Sequence, residues 1–137
     1  MTRQLQAVKI RVSLFVDPFE FNQAQQEALA LIRPDRIELY TEKYSDFYLS
    51  NERSAITARY KIAAETAQRL GIGVNAGHDL NQDNLAYLVQ QIPWLDEVSI
   101  GHALICEALE QGLQTTIGHY LNILKSTAYD HSHTQRA

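Results

Sequence analysis

Ionisable residues recur just where apolar runs stop. His78 and Asp79 follow Val74-Asn75-Ala76-Gly77 in VNAGHDLN, and Gly101-His102 follow Val98-Ser99-Ile100 in VSIGHALI. Glu38 lies in RIELY with Thr41 beyond it, and Asp17 ends VKIRVSLFVD. An imidazole titrates near pH 6.5, so His78 can give or take a proton at neutral pH. Gly77 beside it allows a sharp turn or a close approach to a ligand. The plainer alternative is a loop histidine that caps a helix or meets solvent. His102 opens a helix behind Gly101, where free backbone N–H groups and the positive helix end suit a phosphate. The charge effect there is only about 0.3–1 kcal/mol when exposed, so the N–H groups must do most of the binding. A simple strand-to-helix turn would read the same way. Glu38 alternates with Ile37 and Leu39, which places it on the opposite face of a strand. It is then either an acid–base group inside a barrel or a solvated residue on an edge strand.

Two weaker features accompany these. Tyr44, Phe47 and Tyr48 in TEKYSDFY form either a lid or a loop packed beneath itself. His131 and His133 have metal-like spacing, but they sit in a polar carboxyl-terminal stretch, and a disordered end over 128–137 is the simpler expectation.

The elements that must position these groups alternate between strand and helix. Val8–Val16, Arg36–Tyr40, Ile72–Asn75 and Val98–Ile100 read as strands because they are short, apolar and rich in β-branched or aromatic residues. Helices are expected over about 19–32, 52–70, 85–92, 103–111 and 113–126 from their Ala, Leu, Gln and Glu content. Pro93 ends one of them, and Gly71 stands at a C-cap position. Strands beginning near 10, 36, 72 and 98 recur every 26 to 36 residues, the size of a βαβ unit with parallel strands. Such units build a doubly wound sheet or a (β/α) barrel, and in both, ligands sit at the carboxyl ends of the strands. A complete barrel needs about 250 residues, so 137 residues supply about four βα units, half a barrel, as a single domain. An open half-barrel is expected to expose one apolar sheet face and two unpaired edges, and therefore to associate.

Composition excludes several functions. A net charge of −4 and a pI near 5.7, with Lys and Arg dispersed, leave no surface for nucleic acid. Cys106 is alone, so there is neither a disulfide framework nor a cysteine metal cluster. The amino terminus has no small-residue cleavage site behind its apolar run, and no stretch reaches membrane-spanning length. A cytoplasmic protein is expected.

In order and at these distances, VSLFVD, RIELYT, GVNAGHDLNQDNL and VSIGHALI resemble the carboxyl-terminal half of the pyridoxine 5′-phosphate synthase family, over Val8 to Leu124. The resemblance implies a TIM barrel assembled as a homo-oligomer, commonly an octamer, in the cytoplasm. It implies condensation of 1-deoxy-D-xylulose 5-phosphate with 3-amino-2-oxopropyl phosphate to pyridoxine 5′-phosphate, phosphate and water, without metal or organic cofactor. It makes His78 the proton donor and Glu38 the carboxylate that stabilises charge in the transition state. Asp79, Gly101 and His102 then bind the aminoketone phosphate, Asp79 through its backbone because many relatives have Gly there. Tyr40-Thr41-Glu42 departs from the family's usual His-Thr-Gly at that strand end. The resemblance assigns two general bases, a His and a Glu, to an amino-terminal half that this sequence does not contain. The expected partners are therefore phosphorylated small molecules and either a complementary amino-terminal half or a second copy. The alternative is a non-catalytic, self-associating half-barrel.

Overall fold

The computed structural model describes residues 1–134, with side chains described through residue 126. Short apolar runs form strands, and the Ala- and Gln-rich stretches between them form helices. In chain order these are α1 (Thr2–Ala7), β1 (Ser13–Val16), α2 (Gln23–Ile32), β2 (Arg36–Tyr40), α3 (Glu42–Asp46), α4 (Arg53–Arg69), β3 (Gly73–Gly77), α5 (Leu85–Gln91), β4 (Glu97–Ser99), α6 (His102–Gln111) and α7 (Leu113–Thr134). The strands are parallel and lie side by side in chain order, β1-β2-β3-β4. A doubly wound sheet reverses its strand order at a switch point. No reversal occurs, and the molecule is an α/β half-barrel.

Register divides the sheet into two faces. Leu14, Ile37 and Val74 align, as do Val16, Leu39, Ala76 and Val98 one rung along. Ile37, Leu39, Val74 and Ala76 are buried with Tyr60, Ala63, Ala64 and Ala67 of α4 and Leu85 and Leu88 of α5. The alanines let α4 lie close to the sheet. Full burial of each Leu or Ile contributes roughly 1.5–3 kcal/mol.

The opposite, concave face carries Phe15, Glu38, Asn75 and Glu97 on one rung and Tyr40, Gly77 and Ser99 on another. This corrects the expectation of an exposed apolar sheet face. Apart from Phe15, 71% exposed, the open face is polar. At its amino-terminal end Arg11 makes a two-pronged bond to Glu97, at 2.7 and 2.9 Å. Arg36 meets Asp96 at 2.8 Å, and Asn75 bridges Arg36 and Glu97 at 3.2 and 3.0 Å. A flat sheet would hold β1 and β4 about 14 Å apart, so the Arg11–Glu97 bridge spans the hollow of a curled one. Apolar exposure lies instead on the flanking helices, at Ile105 and Leu109 of α6 and Leu113, Ile117 and Leu121 of α7.

Boundaries differ from expectation for local reasons. The first strand starts at Ser13 rather than Val8, because its partner β2 begins at Arg36 and earlier residues have no ladder to join. Residues 2–7 form a helix instead. The second helix starts at Gln23 rather than Phe19: the Asn22 side chain and Gln25 form a capping box, and Asp17 Oδ1 accepts the Phe19 N–H at 2.8 Å. The TEKYSDFY stretch is no lid. It contains α3, whose Tyr44 is buried and donates its hydroxyl to the Asn84 carbonyl. Burial pushes the Tyr44 phenol up in pKa. β3 extends to Gly77, and α7 continues to Thr134. Residues 135–137 and the side chains from 127 onward lie outside the described residues, and with them the last three residues of the expected tail over 128–137 and the side chains of the His131–His133 pair.

Candidate active site

Two consecutive residues occupy the left-handed, positive-φ region that most side chains avoid: His78 has φ 93° and Asp79 has φ 56°. Non-glycine residues rarely adopt such values, and each costs of order 1–3 kcal/mol and persists only where its surroundings hold it. The surroundings do. The Thr41 N–H donates to the Gly77 carbonyl at 2.9 Å, and the Thr41 hydroxyl donates to the His78 carbonyl. Ser45 Oγ and Asn84 Nδ2 both donate to the Asp79 carbonyl, at 2.6 and 3.1 Å, and Asn84 also donates to Ser45 at 2.9 Å. Asn84 and Thr41 are buried. Helix α3 and the start of α5 thus clamp the turn after β3.

The clamp fixes the surroundings of the imidazole. His78 Nδ1 lies 2.8 Å from Asp79 Oδ2. The Tyr40 ring stands 4.5 Å from the imidazole, tilted by 59°, with its hydroxyl 3.4 Å from Nε2. Partial burial, together with the Glu42 carboxylate, raises the Tyr40 phenol above its ordinary pKa, so it stays protonated.

Glu38 is half-buried on a central strand, which removes the edge-strand alternative. A Cβ placed on Gly77 would lie 2.5 Å from Glu38 Oε1. It would also lie 2.9 Å from Ser99 Cβ, so a side chain at 77 would have to shift Ser99 as well as the glutamate. Of the two uses expected of Gly77, a sharp turn or a close approach, the turn belongs to His78 and Asp79, and it is Glu38 that comes close to Gly77.

His102 is the first residue of α6, and Gly101 precedes it with φ −105°. A Cβ at Gly101 would meet nothing within 4 Å, so neither backbone nor packing demands glycine there. What its absence leaves is room at the helix end. His78, Asp79, Ser99, Ile100, Gly101 and His102 line one cleft of about 540 Å³. Four of the five expected site residues thus share a cavity, and Glu38 lies beside it against Gly77. Asn75, expected at a strand end, sits two residues below the rim in the Arg36–Glu97 network. Asp17 turns back on its own loop at Phe19. The roles of Tyr40, Ser45 and Asn84 around His78 were not legible in the sequence, because hydroxyl and amide side chains carry no pattern that reveals a partner 34 to 39 residues away.

Comparison with known proteins adds an independent line. The family model described as "Pyridoxal phosphate biosynthesis protein PdxJ" matches residues 1–126. The chain is 55% identical over 116 residues to the pyridoxine 5′-phosphate synthase of Cytophaga hutchinsonii, covering 85% of this chain and 47% of that protein. It is 53% identical over 117 residues to the enzyme of the same name from Parabacteroides distasonis, covering 85% and 48%. Against that from Albidiferax ferrireducens the figures are 45% over 121 residues, 88% and 47%. The chain spans about half the length of the curated relatives it matches.

Proposed function

Because the chain belongs to the PdxJ family of pyridoxal phosphate biosynthesis proteins, we propose that it supplies the proton-donating and phosphate-holding half of a pyridoxine 5′-phosphate synthase. The observation that carries this reading is the shared cleft of His78, Asp79, Gly101 and His102 at the carboxyl ends of β3 and β4. Ring closure between two phosphorylated substrates requires imine formation and dehydration, hence protons delivered to departing hydroxyls. His78 is the donor in this reading. Glu38 stabilises the positive charge that develops as those hydroxyls leave. The N–H groups at the start of α6, beside Gly101 and His102, hold the aminoketone phosphate, and the Asp79 backbone contacts the same substrate.

The general bases then come from strands outside this sequence, and the half-site works when a complementary amino-terminal half or another copy closes the barrel, in the cytoplasm. The test is formation of pyridoxine 5′-phosphate from 1-deoxy-D-xylulose 5-phosphate and 3-amino-2-oxopropyl phosphate. The purified chain is assayed alone and with a separately expressed amino-terminal half from a relative. Activity only in the mixture, lost in His78→Ala, is the expected result. A folded sample silent in both arms would instead favour a non-catalytic, self-associating half-barrel, a reading supported by the exposed apolar side chains of α6 and α7.

A further inference from the structure

We propose that Asp79 is a positioning residue for His78: its carboxylate accepts the Nδ1–H and leaves Nε2 as the ring nitrogen that exchanges protons in the cleft. In an extended strand, neighbouring side chains point to opposite faces. Here the two left-handed φ values of 93° and 56° bring both side chains to one side, with Nδ1 and Oδ2 2.8 Å apart. The bonds from Thr41, Ser45 and Asn84 hold the backbone in that arrangement, so the pairing is built into the turn. A carboxylate only accepts hydrogen bonds, so the nitrogen facing it carries the proton. The same acceptor stabilises the imidazolium. When Nε2 gives up its proton, the neutral ring that remains is already the Nδ1–H form. Tyr40 covers the other edge, its hydroxyl 3.4 Å from Nε2 and its ring against the imidazole.

His78 and Asp79 have side chains 45% and 47% exposed, so their attraction adds little stability. Tautomer choice needs far less, because the two neutral forms of a histidine side chain differ only slightly in energy. The consequence for catalysis rests on His78 being the proton donor, but the tautomer can be read without turnover.

The experiment is long-range nitrogen–proton NMR on the imidazole-labelled purified chain, about two units above the ordinary imidazole pKa of ~6.5. His78 is expected to show a protonated Nδ1 and a bare Nε2. Asp79→Gly suits a positive φ better than aspartate, so the turn and the melting temperature should persist. In that variant His78 should revert to the Nε2–H form that an unrestrained histidine side chain favours, while Tyr40→Phe should leave the Nδ1–H form in place. A wild-type His78 protonated on Nε2, or a pattern unchanged by Asp79→Gly, would overturn the proposal. In the barrel completed by an amino-terminal half, Asp79→Gly should lower kcat roughly tenfold or more with KM little changed. An unaltered kcat beside a shifted tautomer would overturn the positioning role. Inactivity of the unsubstituted mixture counts against the proposed function alone, and the tautomer result still decides the pairing.

Discussion

A methyl group added at Gly77 would sit 2.5 Å from Glu38 Oε1 and 2.9 Å from the Ser99 Cβ. The neighbouring glycine of the site, Gly101, would accept the same methyl with nothing inside 4 Å. These two residues look alike in sequence, each ending a strand before a histidine, yet they respond to opposite demands. Gly77→Ala is expected to displace the glutamate and destabilise the fold by about 1–3 kcal/mol. Gly101→Ala is expected to leave stability within about 0.5 kcal/mol of the parent and to weaken phosphate binding. Thermal melts of both variants with and without inorganic phosphate separate the cases. Equal destabilisation by both would refute the distinction. Of the residues at which the sequence departs from the expected family pattern, Tyr40 and Asp79 touch His78, one at each ring nitrogen, and Glu42 opens α3 beside them.

The strands contribute chemistry at one end and stability at the other. At their carboxyl ends lie the cleft residues, whereas their amino-terminal ends carry the Arg11, Arg36, Asn75, Asp96 and Glu97 network. The Arg11 guanidinium bonded to Glu97 holds that carboxyl below its ordinary pKa of 4.5. A depressed carboxyl stabilises the fold above the unfolded value, and that contribution is lost as the pH falls through the folded one. The melting-temperature advantage of the parent over Glu97→Gln should therefore be full at pH 7 and shrink below about pH 4.5. An advantage that persists unchanged into strong acid would show that Glu97 acts by shape, not by charge. Helix α3 works at the other rim. Tyr60 donates to the Tyr40 carbonyl at 3.0 Å and accepts from the Tyr44 N–H at 3.2 Å, so the clamp around His78 is rooted in the core.

The whole molecule has a polar hollow and apolar flanks. Ile105 and Leu109 on α6 and Leu113, Ile117 and Leu121 on α7 are 42% to 84% exposed, and they recur every four residues on their helices. Val8, Ile10 and Leu31 are exposed at the other end of the chain's fold. Apolar patches of this kind mark surfaces made to be covered. The purified chain is expected to sediment above its monomer mass of 15.6 kDa, and Leu109→Glu combined with Ile117→Glu should return it towards that mass. Sedimentation of the parent as a monomer at micromolar concentration would remove the α6–α7 face from consideration as the associating surface.

The amino-acid sequence by itself determined the alternation of strands and helices, their parallel pairing and the strand-end positions of His78, Gly101 and His102. The strand order in the folded sheet chose a half-barrel over a doubly wound sheet. Hydrophobic period and spacing are local properties, and parallel strands with crossover helices follow from them. RIELY alone placed Glu38 opposite Ile37 and Leu39. Only the tertiary structure decided that the carboxylate lies over Gly77, that Asn75 belongs to the stabilising layer, and that the exposed sheet face is polar. It also decided that Thr41, Ser45 and Asn84 hold the His78–Asp79 turn. Each of those facts depends on which residues of different strands and loops share a level, and that register is set by packing between segments tens of residues apart.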